Sequence, residues 1–146
     1  GQSIVPHRQN ADGFRIPTSI PDHIDIIGKF EQGGQMRLSV SSVIGNMENI
    51  VDIYICGTKG TLRLCEKKDG KKRLYGASKG SDKLEQIIIK DENRGMWRVE
   101  EEFINAIRGK EDISHTDFST AVKYMEWTDA VTKSLKTGHV IQLPLI

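Results

Sequence analysis

The sequence is short of cysteine, of net charge and of long apolar runs, and each shortage excludes a class of protein. Its 2 cysteines, Cys56 and Cys65, lack the spacing of a metal site. Opposite parity on adjacent predicted strands places them on different sheet faces, so we interpret them as reduced thiols of a cytoplasmic protein. The 21 basic and 20 acidic residues nearly cancel, which gives no bulk electrostatic reason to bind nucleic acid or an anionic membrane. No apolar run approaches the ~20 residues that a membrane-spanning helix needs.

Catalytic and cofactor motifs are also missing. The 14 glycines never form G-x-G-x-x-G between a strand and a helix, nor a phosphate-binding P-loop. The 4 histidines are dispersed, and none has a metal-binding spacing. No G-x-S-x-G nucleophile elbow occurs, and neither cysteine has a neighbouring base. The residues alone favour a scaffold or binding module, and we expect no catalytic residue, metal or cofactor in this chain.

The apolar pattern predicts an α+β fold. Alternation predicts two β-hairpins, over residues 22–43 and 50–64, and a further strand over residues 84–90. Helical spacing predicts helices over residues 95–108 and 117–137. Strands followed by helices indicate one antiparallel, open-faced sheet with both helices packed on one face.

The boundaries and the core of this fold are also predicted. Residues 22–146 are expected to form the domain, and residues 1–21, rich in turn residues, an irregular loop or linker. Thr116 is the predicted N-cap of the second helix, and Gly138 its predicted left-handed C-cap. Six apolar residues are predicted to be buried: Ile24, Ile26, Phe30, Leu38, Phe103 and Met125.

Two charged runs are interpreted as solvated surface. The basic run at residues 67–73 straddles an Asp-Gly turn dipeptide, which predicts an exposed hairpin tip in preference to a nucleic-acid site. Glu100, Glu101 and Glu102 are consecutive on a predicted helix, where successive side chains diverge by ~100°. They cannot all reach one substrate, and we expect a solvated face.

Two segments carry side chains that could contact a ligand. His7 and Arg8 could together hold an anionic or hydroxylated ligand, or could lie in an exposed, solvated loop. The polar loop between the hairpins carries Asn46 and Asn49. Loops of this kind on a rigid sheet often contact ligands, although a simple connection is more common.

Four short motifs follow one another along the chain. They are the strand from Asp22 ending in E-Q-G-G, then I-Y-I-C-G-T-K-G-T-L at residues 53–62, then Trp97 with E-E-F-I-N-A-I-R-G at residues 101–109, and a final Leu-Pro. Each is weak alone, but their order and spacing, from residue 17 to the end, form a specific set. This set resembles the C-terminal domain of the Gfo/Idh/MocA oxidoreductases, a family named for glucose–fructose oxidoreductase and inositol dehydrogenase.

The resemblance implies a longer parent protein. Family members begin with a Rossmann domain that binds NAD or NADP and carries a catalytic lysine in a Glu-Lys-Pro motif, and an Asp and a His start the second domain. Neither the Rossmann glycine fingerprint nor the Glu-Lys-Pro motif occurs here. His23 comes too late in the pattern to be the histidine that starts the second domain. We therefore expect a C-terminal fragment that is inactive alone. Its parent would be an NAD(P)-dependent dehydrogenase or related oxidoreductase acting on a sugar, a cyclitol or a related hydroxyl or carbonyl compound.

The resemblance also implies contacts and partners. In relatives, the loop at residues 46–49 and the segment at residues 94–97 lie near the substrate. With the N-terminal pair, this gives six substrate-proximal candidates: Asn46, Asn49, Arg94, Trp97, His7 and Arg8. The implied partners are the protein's own Rossmann domain and a second copy of the chain, bound through the open sheet face that carries Ile27 and Tyr54. The alternative is a free-standing, non-catalytic association or ligand-binding module.

Overall fold

The structure is a computed structural model that describes residues 1–114 and 117–145. The chain has an α+β fold of antiparallel strands and two α-helices, as predicted. It divides into two compact units. Unit 1 comprises Gly1–Val43 with Trp97–Ile146, and unit 2 comprises Ile44–Met96.

Unit 1 contains two separate two-stranded antiparallel sheets. Strands β1 and β2 pair within the segment predicted to be irregular, and β3 pairs with β4 in the first predicted hairpin. The hairpin turns through Gly33 and Gly34, both with positive φ, which glycine adopts without a steric penalty. The strand bounds are β1 His7–Gln9, β2 Arg15–Pro17, β3 His23–Lys29 and β4 Gln35–Ser41.

The register of β3 and β4 confirms the predicted alternation. Ile24 faces Val40, and Ile26 faces Leu38, so one face of the hairpin is apolar. The prediction that Ile24, Ile26 and Leu38 are buried is wrong. Both isoleucines and Leu38 are half-buried, because a two-stranded hairpin has no second layer of its own to cover that face.

The two helices of unit 1 are α1, Val99–Ile107, and α2, Phe118–Thr137. Asp117 caps α2, since its carboxylate accepts from the backbone N–H of Thr120 at 2.7 Å, while the predicted cap Thr116 lies outside the described residues. The C-cap prediction is confirmed: Gly138 has φ 72° and donates its N–H to the carbonyl of Ser134.

The helices bury small or polar residues in place of the large apolar residues predicted. On α2 the buried residue is Ala130, at 6% exposure, whereas Met125 is 67% exposed. Phe103 on α1 and Phe30 at the hairpin end are 50% and 58% exposed. These three burial predictions are wrong, because helical periodicity locates an apolar stripe but not the surface that would cover it.

Unit 2 is a four-stranded antiparallel meander with the order β5-β6-β7-β8, followed by a short 3-10 helix, Asp91–Asn93. The predicted single sheet is therefore wrong, because the two predicted hairpins lie in different sheets. The basic run is a hairpin tip between β6 and β7, as predicted. The strand bounds are β5 Asn49–Gly57, β6 Gly60–Lys67, β7 Lys72–Ser78 and β8 Glu85–Ile87.

The sheet of unit 2 has one aliphatic face and one polar face. Every residue of the central aliphatic row is half-buried or exposed, and the row crosses all four strands: Ile53, Leu64, Leu74 and Ile87. The polar face carries a row of Tyr54, Arg63, Tyr75 and Gln86.

The two free cysteines share the polar face, so the prediction that they lie on different faces is wrong. Cys56 pairs with Thr61, and Cys65 pairs with Asp52. In an antiparallel pair joined by a two-residue turn, even positions on one strand oppose odd positions on the other. Opposite parity therefore means the same face here, with the two thiols four residues apart along the strands.

Candidate functional site

An ion pair organises the polar face of unit 2. Arg63 donates from Nε to Asp52 Oδ1 at 2.8 Å and from Nη2 to Oδ2 at 2.6 Å. This bidentate contact lowers the pKa of Asp52 and raises that of Arg63, although partial burial opposes each shift. The guanidinium also lies 5.1 Å from the ring centroid of Tyr54, within cation–π range. The arrangement fixes a planar cation and an aromatic ring on one surface.

Asn49 extends this cluster. Its Nδ2 donates to Asp52 Oδ2 at 2.7 Å, while its Oδ1 is buried without a hydrogen-bond partner. Next to it, Lys67 pairs with Glu48, which lowers the pKa of the glutamate by a hydrogen bond and by Coulombic attraction. Asn49, one of the two predicted asparagines, is therefore hydrogen-bonded to a network of charged side chains.

Asn46 has a different environment. It is exposed and has φ 59°, a left-handed conformation that asparagine tolerates better than most residues. This conformation sets the turn that leads from residue 44 into β5. Of the two predicted asparagines, Asn46 is therefore exposed, whereas the side-chain amide of Asn49 is hydrogen-bonded to Asp52.

Arg94 belongs to unit 2 and Trp97 to unit 1. Arg94 follows the 3-10 helix, donates from Nε to the carbonyl of Ile89 at 3.3 Å and pairs with Asp91 at 3.2 Å. Its side chain is 62% exposed. Trp97 is 79% exposed, and its hydrogen bond to Glu100 lowers the pKa of that carboxyl. Each presents a large side chain able to contact a ligand.

The expectation of a fully solvated glutamate face on α1 is wrong for Glu102, which is 2% exposed. Its carboxylate accepts from Ser114 Oγ at 2.8 Å and from Ser114 N at 3.2 Å. Arg98 holds Glu101 at 3.0 Å and Glu111 at 3.3 Å. These bonds fasten the segment after α1 to the helix, so we assign the cluster a structural role.

A cleft in unit 1 surrounds a second buried carboxylate. Asp22 has 4% of its side chain exposed and accepts from the backbone N–H groups of Ile4 at 2.7 Å and Val5 at 3.0 Å. Burial alone would raise its pKa, but these two bonds and the nearby Arg8 outweigh burial and lower it. Asp22 therefore stays ionised and ties the N-terminal segment to the start of β3.

The cleft also separates the two N-terminal candidates. Arg8 lines it, with Nη2 3.4 Å from Asp22 Oδ2, and is paired with Ile16 across β1 and β2. His7 is the preceding residue of the same strand, so its side chain projects to the opposite face. His7 and Arg8 are therefore poorly placed to bind one ligand together.

The structure thus places three candidates in each unit: His7, Arg8 and Trp97 in unit 1, and Asn46, Asn49 and Arg94 in unit 2. The six stay predictions as substrate contacts. Sequence reasoning missed Asp22, Asp52 and Arg63. The sequence could have identified Asp22, because it lies directly after a proline and before an apolar strand. The ion pair of Asp52 and Arg63 could not be identified in this way, because it depends on strand register.

Neither helix start fits a cofactor pyrophosphate. The first turn of α1 carries Glu100, Glu101 and Glu102, and the carboxylate of Asp117 occupies the start of α2. Negative charge at both positions would repel phosphate. Within residues 1–114 and 117–145, no group of three or more His, Cys, Asp or Glu side chains could hold a metal ion. Among the same residues, no helix has the length and apolar character to cross a membrane.

The comparison with family models places the chain in a class of proteins. A model described as "Oxidoreductase family, C-terminal alpha/beta domain" matches residues 5–143. The chain therefore belongs to the Gfo/Idh/MocA C-terminal domain family, as the motif order indicated. The search of curated proteins and the search of solved structures gave no match.

Proposed function

We propose that this chain supplies the substrate-side wall and the association surface of an NAD(P)-dependent oxidoreductase. The reaction would interconvert a hydroxyl and a carbonyl group on a sugar, a cyclitol or a related small molecule. The observation that carries the proposal is the family match over residues 5–143. The free cysteines support a reducing, cytoplasmic location.

The proposal requires the nicotinamide cofactor to be held outside the described residues. The family's oxidoreductase domains are typically linked to an NAD(P)-binding Rossmann domain, and both helix starts of this chain are acidic. The cofactor would supply hydride transfer, while this chain would bind and orient the hydroxylated substrate. The chain by itself would then be inactive.

The six candidates suit contact with such a substrate. Exposed amides and guanidinium groups can exchange hydrogen bonds with hydroxyl groups, and an exposed indole offers an apolar face to ring C–H groups. Asn46 is exposed, and the side chain of Arg94 and the residue Trp97 are 62% and 79% exposed. We propose these three as substrate contacts, with Arg94 and Trp97 the first to test.

Turnover by the natural gene product that contains this chain tests the proposal. Reduction of NAD and NADP is followed with a panel of sugars and cyclitols, and an accepted substrate is expected. Arg94→Ala and Trp97→Ala should raise KM, since each removes a substrate contact, whereas Lys110→Ala, in an exposed position, serves as the control. Wild-type kinetics in both variants would refute their role, and no turnover with any panel member would favour the non-catalytic module.

Association is proposed through the polar face of unit 2. Tyr54 is 54% exposed there beside Arg63, and aromatic residues and arginine are enriched at protein interfaces. Ile27 lies in β3, a strand of a different sheet, so it is no longer part of the proposed face. A two-fold dimer is the simplest assembly.

Light scattering tests the association of the chain. We expect a dimer or larger species, and Tyr54→Glu should shift it towards monomer by placing like charges near the axis. Lys71→Glu at the hairpin tip is the control and should keep the wild-type mass. A monomeric wild-type chain at high concentration would remove the proposed interface.

A further inference from the structure

The chain contains two Asp-Gly dipeptides, Asp12-Gly13 and Asp69-Gly70. Glycine has no side chain to shield its backbone nitrogen, so this nitrogen can reach the carboxyl group of the aspartate before it. Both dipeptides lie in turns between antiparallel strands, and both glycines have positive φ. Each glycine N–H also donates to the carbonyl three residues earlier, at 3.0 Å in the first turn and 2.9 Å in the second. The two dipeptides are therefore matched in backbone and differ in what holds the carboxylate.

We propose that Asp12 is a site of spontaneous isoaspartate formation and that Asp69 is protected from this modification. The backbone nitrogen of the following glycine attacks Cγ of the aspartic acid. The N–H proton and the carboxyl hydroxyl group leave as water, and a five-membered succinimide ring closes. A second water molecule then adds to the original main-chain carbonyl carbon and breaks its bond to the glycine nitrogen, so the main chain now runs through the former side chain. No other reactant is needed, and the inference is independent of the proposed oxidoreductase function.

The carboxylate of Asp12 is weakly held. Asn10 closes this turn, because its Oδ1 accepts the backbone N–H of Asp12 at 3.1 Å and that of Phe14 at 2.9 Å. Within residues 1–114 and 117–145, the Asp12 carboxylate pairs with no cation, and its partner is Asn10 Nδ2 at 3.5 Å, a distance too long for a strong hydrogen bond. Asp12 is also exposed. Its side chain is therefore free to rotate towards the nitrogen of Gly13.

The carboxylate of Asp69 is held through both oxygens. Arg73 donates from Nη2 to Oδ2 at 2.7 Å, and the backbone N–H of Lys71 donates to Oδ1 at 2.9 Å. Closure of a ring onto Gly70 would require these hydrogen bonds to break. The same two contacts lower the pKa of Asp69 to about 2. Relative to the ordinary pKa of 3.8, this reduces the uncharged carboxyl form, which loses water readily, by more than about tenfold near neutral pH.

Isomerisation at Asp12 would alter the hairpin formed by β1 and β2. The new linkage adds one carbon atom to the main chain directly after Asp12. The hydrogen bonds from Asn10 N to the carbonyl of Phe14, 3.0 Å, and from Phe14 N to Asn10 Oδ1, 2.9 Å, both span this point. They cannot both keep their geometry when the chain between them lengthens. The modification would therefore loosen β1, the strand that places Arg8 beside Asp22.

Peptide mapping of the chain after prolonged incubation at mildly acidic pH tests the proposal. Electron-transfer fragmentation distinguishes isoaspartate from aspartate in the two peptides. Isoaspartate is expected at residue 12, with at least about tenfold less at residue 69. Asp12→Glu should abolish the product at residue 12, since its longer side chain disfavours ring closure. Equal amounts at the two residues, or more at residue 69, would overturn the proposal.

Incubation in concentrated urea separates the effect of structure from that of sequence. The unfolded chain should form isoaspartate at similar rates at residues 12 and 69, and an undiminished preference for residue 12 would refute the structural explanation. Arg73→Ala should raise the rate at residue 69 several-fold in the folded chain, because it releases Oδ2 of Asp69. Lys72→Ala is the matched control, since it removes the same charge from the neighbouring residue of β7 and leaves that contact in place. Equal rates at residue 69 in the two variants would overturn the proposed protection.

Discussion

Replacing Gly60 by alanine should destabilise unit 2 strongly, because no space exists there for a side chain. Gly60 begins β6 and pairs with Ser78 of β7. A Cβ at this position would lie 2.2 Å from the carbonyl oxygen of Ala77 and 3.1 Å from the Cα of Ser78. Carbon–oxygen contacts of this kind are ordinarily about 3.3 Å, so the backbone of β7 would have to move by roughly 1 Å.

The cost follows from that movement. Forced overpacking costs about 1–3 kcal/mol, and a lost backbone hydrogen bond adds about 0.5–1.5 kcal/mol. Movement of β7 would weaken the neighbouring hydrogen bond from Lys79 N to Lys59 O, which is 2.8 Å long. We therefore expect Gly60→Ala to lower the free energy of unfolding by on the order of 3 kcal/mol.

Gly57→Ala is the matched control, since Gly57 flanks the same two-residue turn. A Cβ there would meet the carbonyl oxygen of Gly60 at 3.6 Å, an ordinary contact, so its effect should stay within about 1 kcal/mol. Urea denaturation followed by far-UV circular dichroism measures both variants, and hydrogen exchange of β6 and β7 amides locates the change. Equal stability of the two variants would show that β7 moves freely and would refute the reasoning.

Three further predictions concern charge and backbone conformation. Arg73 holds the pKa of Asp69 at about 2, below the ordinary 3.8. This carboxylate therefore stabilises the fold above pH 3.8, and the stabilisation is lost as the pH falls towards 2. In urea unfolding, Asp69→Asn should lose less free energy of unfolding than the wild type over this pH range, and an equal loss would contradict the prediction. Gly138→Ala should lower the free energy of unfolding by about 1–2 kcal/mol, because Gly138 has a left-handed backbone conformation. Gly95 lies outside the left-handed region, so Gly95→Ala should not lower the melting temperature. Equal melting temperatures for the two variants would contradict the prediction. Asp22→Asn should speed hydrogen exchange of the N-terminal amides that its carboxylate accepts, and unchanged exchange would mean that the carboxylate is not their anchor.

The hairpins and the C-terminal end of α2 could be predicted because their causes are local, whereas α1 begins at Val99 and not at the predicted residue 95. Alternation set the pairing of Ile24 with Val40, and glycine at position 138 set the end of α2. The turn at Asp69 marked the boundary between β6 and β7. Each of these features depends on residues within a few positions of one another.

What covers each face could not be predicted, since it depends on contacts distant in sequence. Apolar spacing identified Met125 as a core residue, yet the buried residue of α2 is Ala130. A run of three glutamates indicated solvent, yet Glu102 is buried against Ser114. Period alone does not distinguish a helix face that packs through small residues from one that packs through large ones.

The candidate site shows the same division between local and distant causes. Asn46, Arg94 and Trp97 were identified by motif order, and the structure shows that they are exposed. The contact between Asp52 and Arg63 needed the strand register, because these residues are eleven positions apart.

Binding of nicotinamide cofactors tests most directly the claim that this domain supplies the substrate side of an oxidoreductase. Isothermal titration calorimetry with NAD and NADP should show no specific binding to the chain alone, because its helix starts carry carboxylates where a pyrophosphate would lie. The natural gene product that contains the chain should bind one of the two cofactors. Micromolar binding by the chain alone, or no binding of either cofactor by the natural gene product, would contradict the claim.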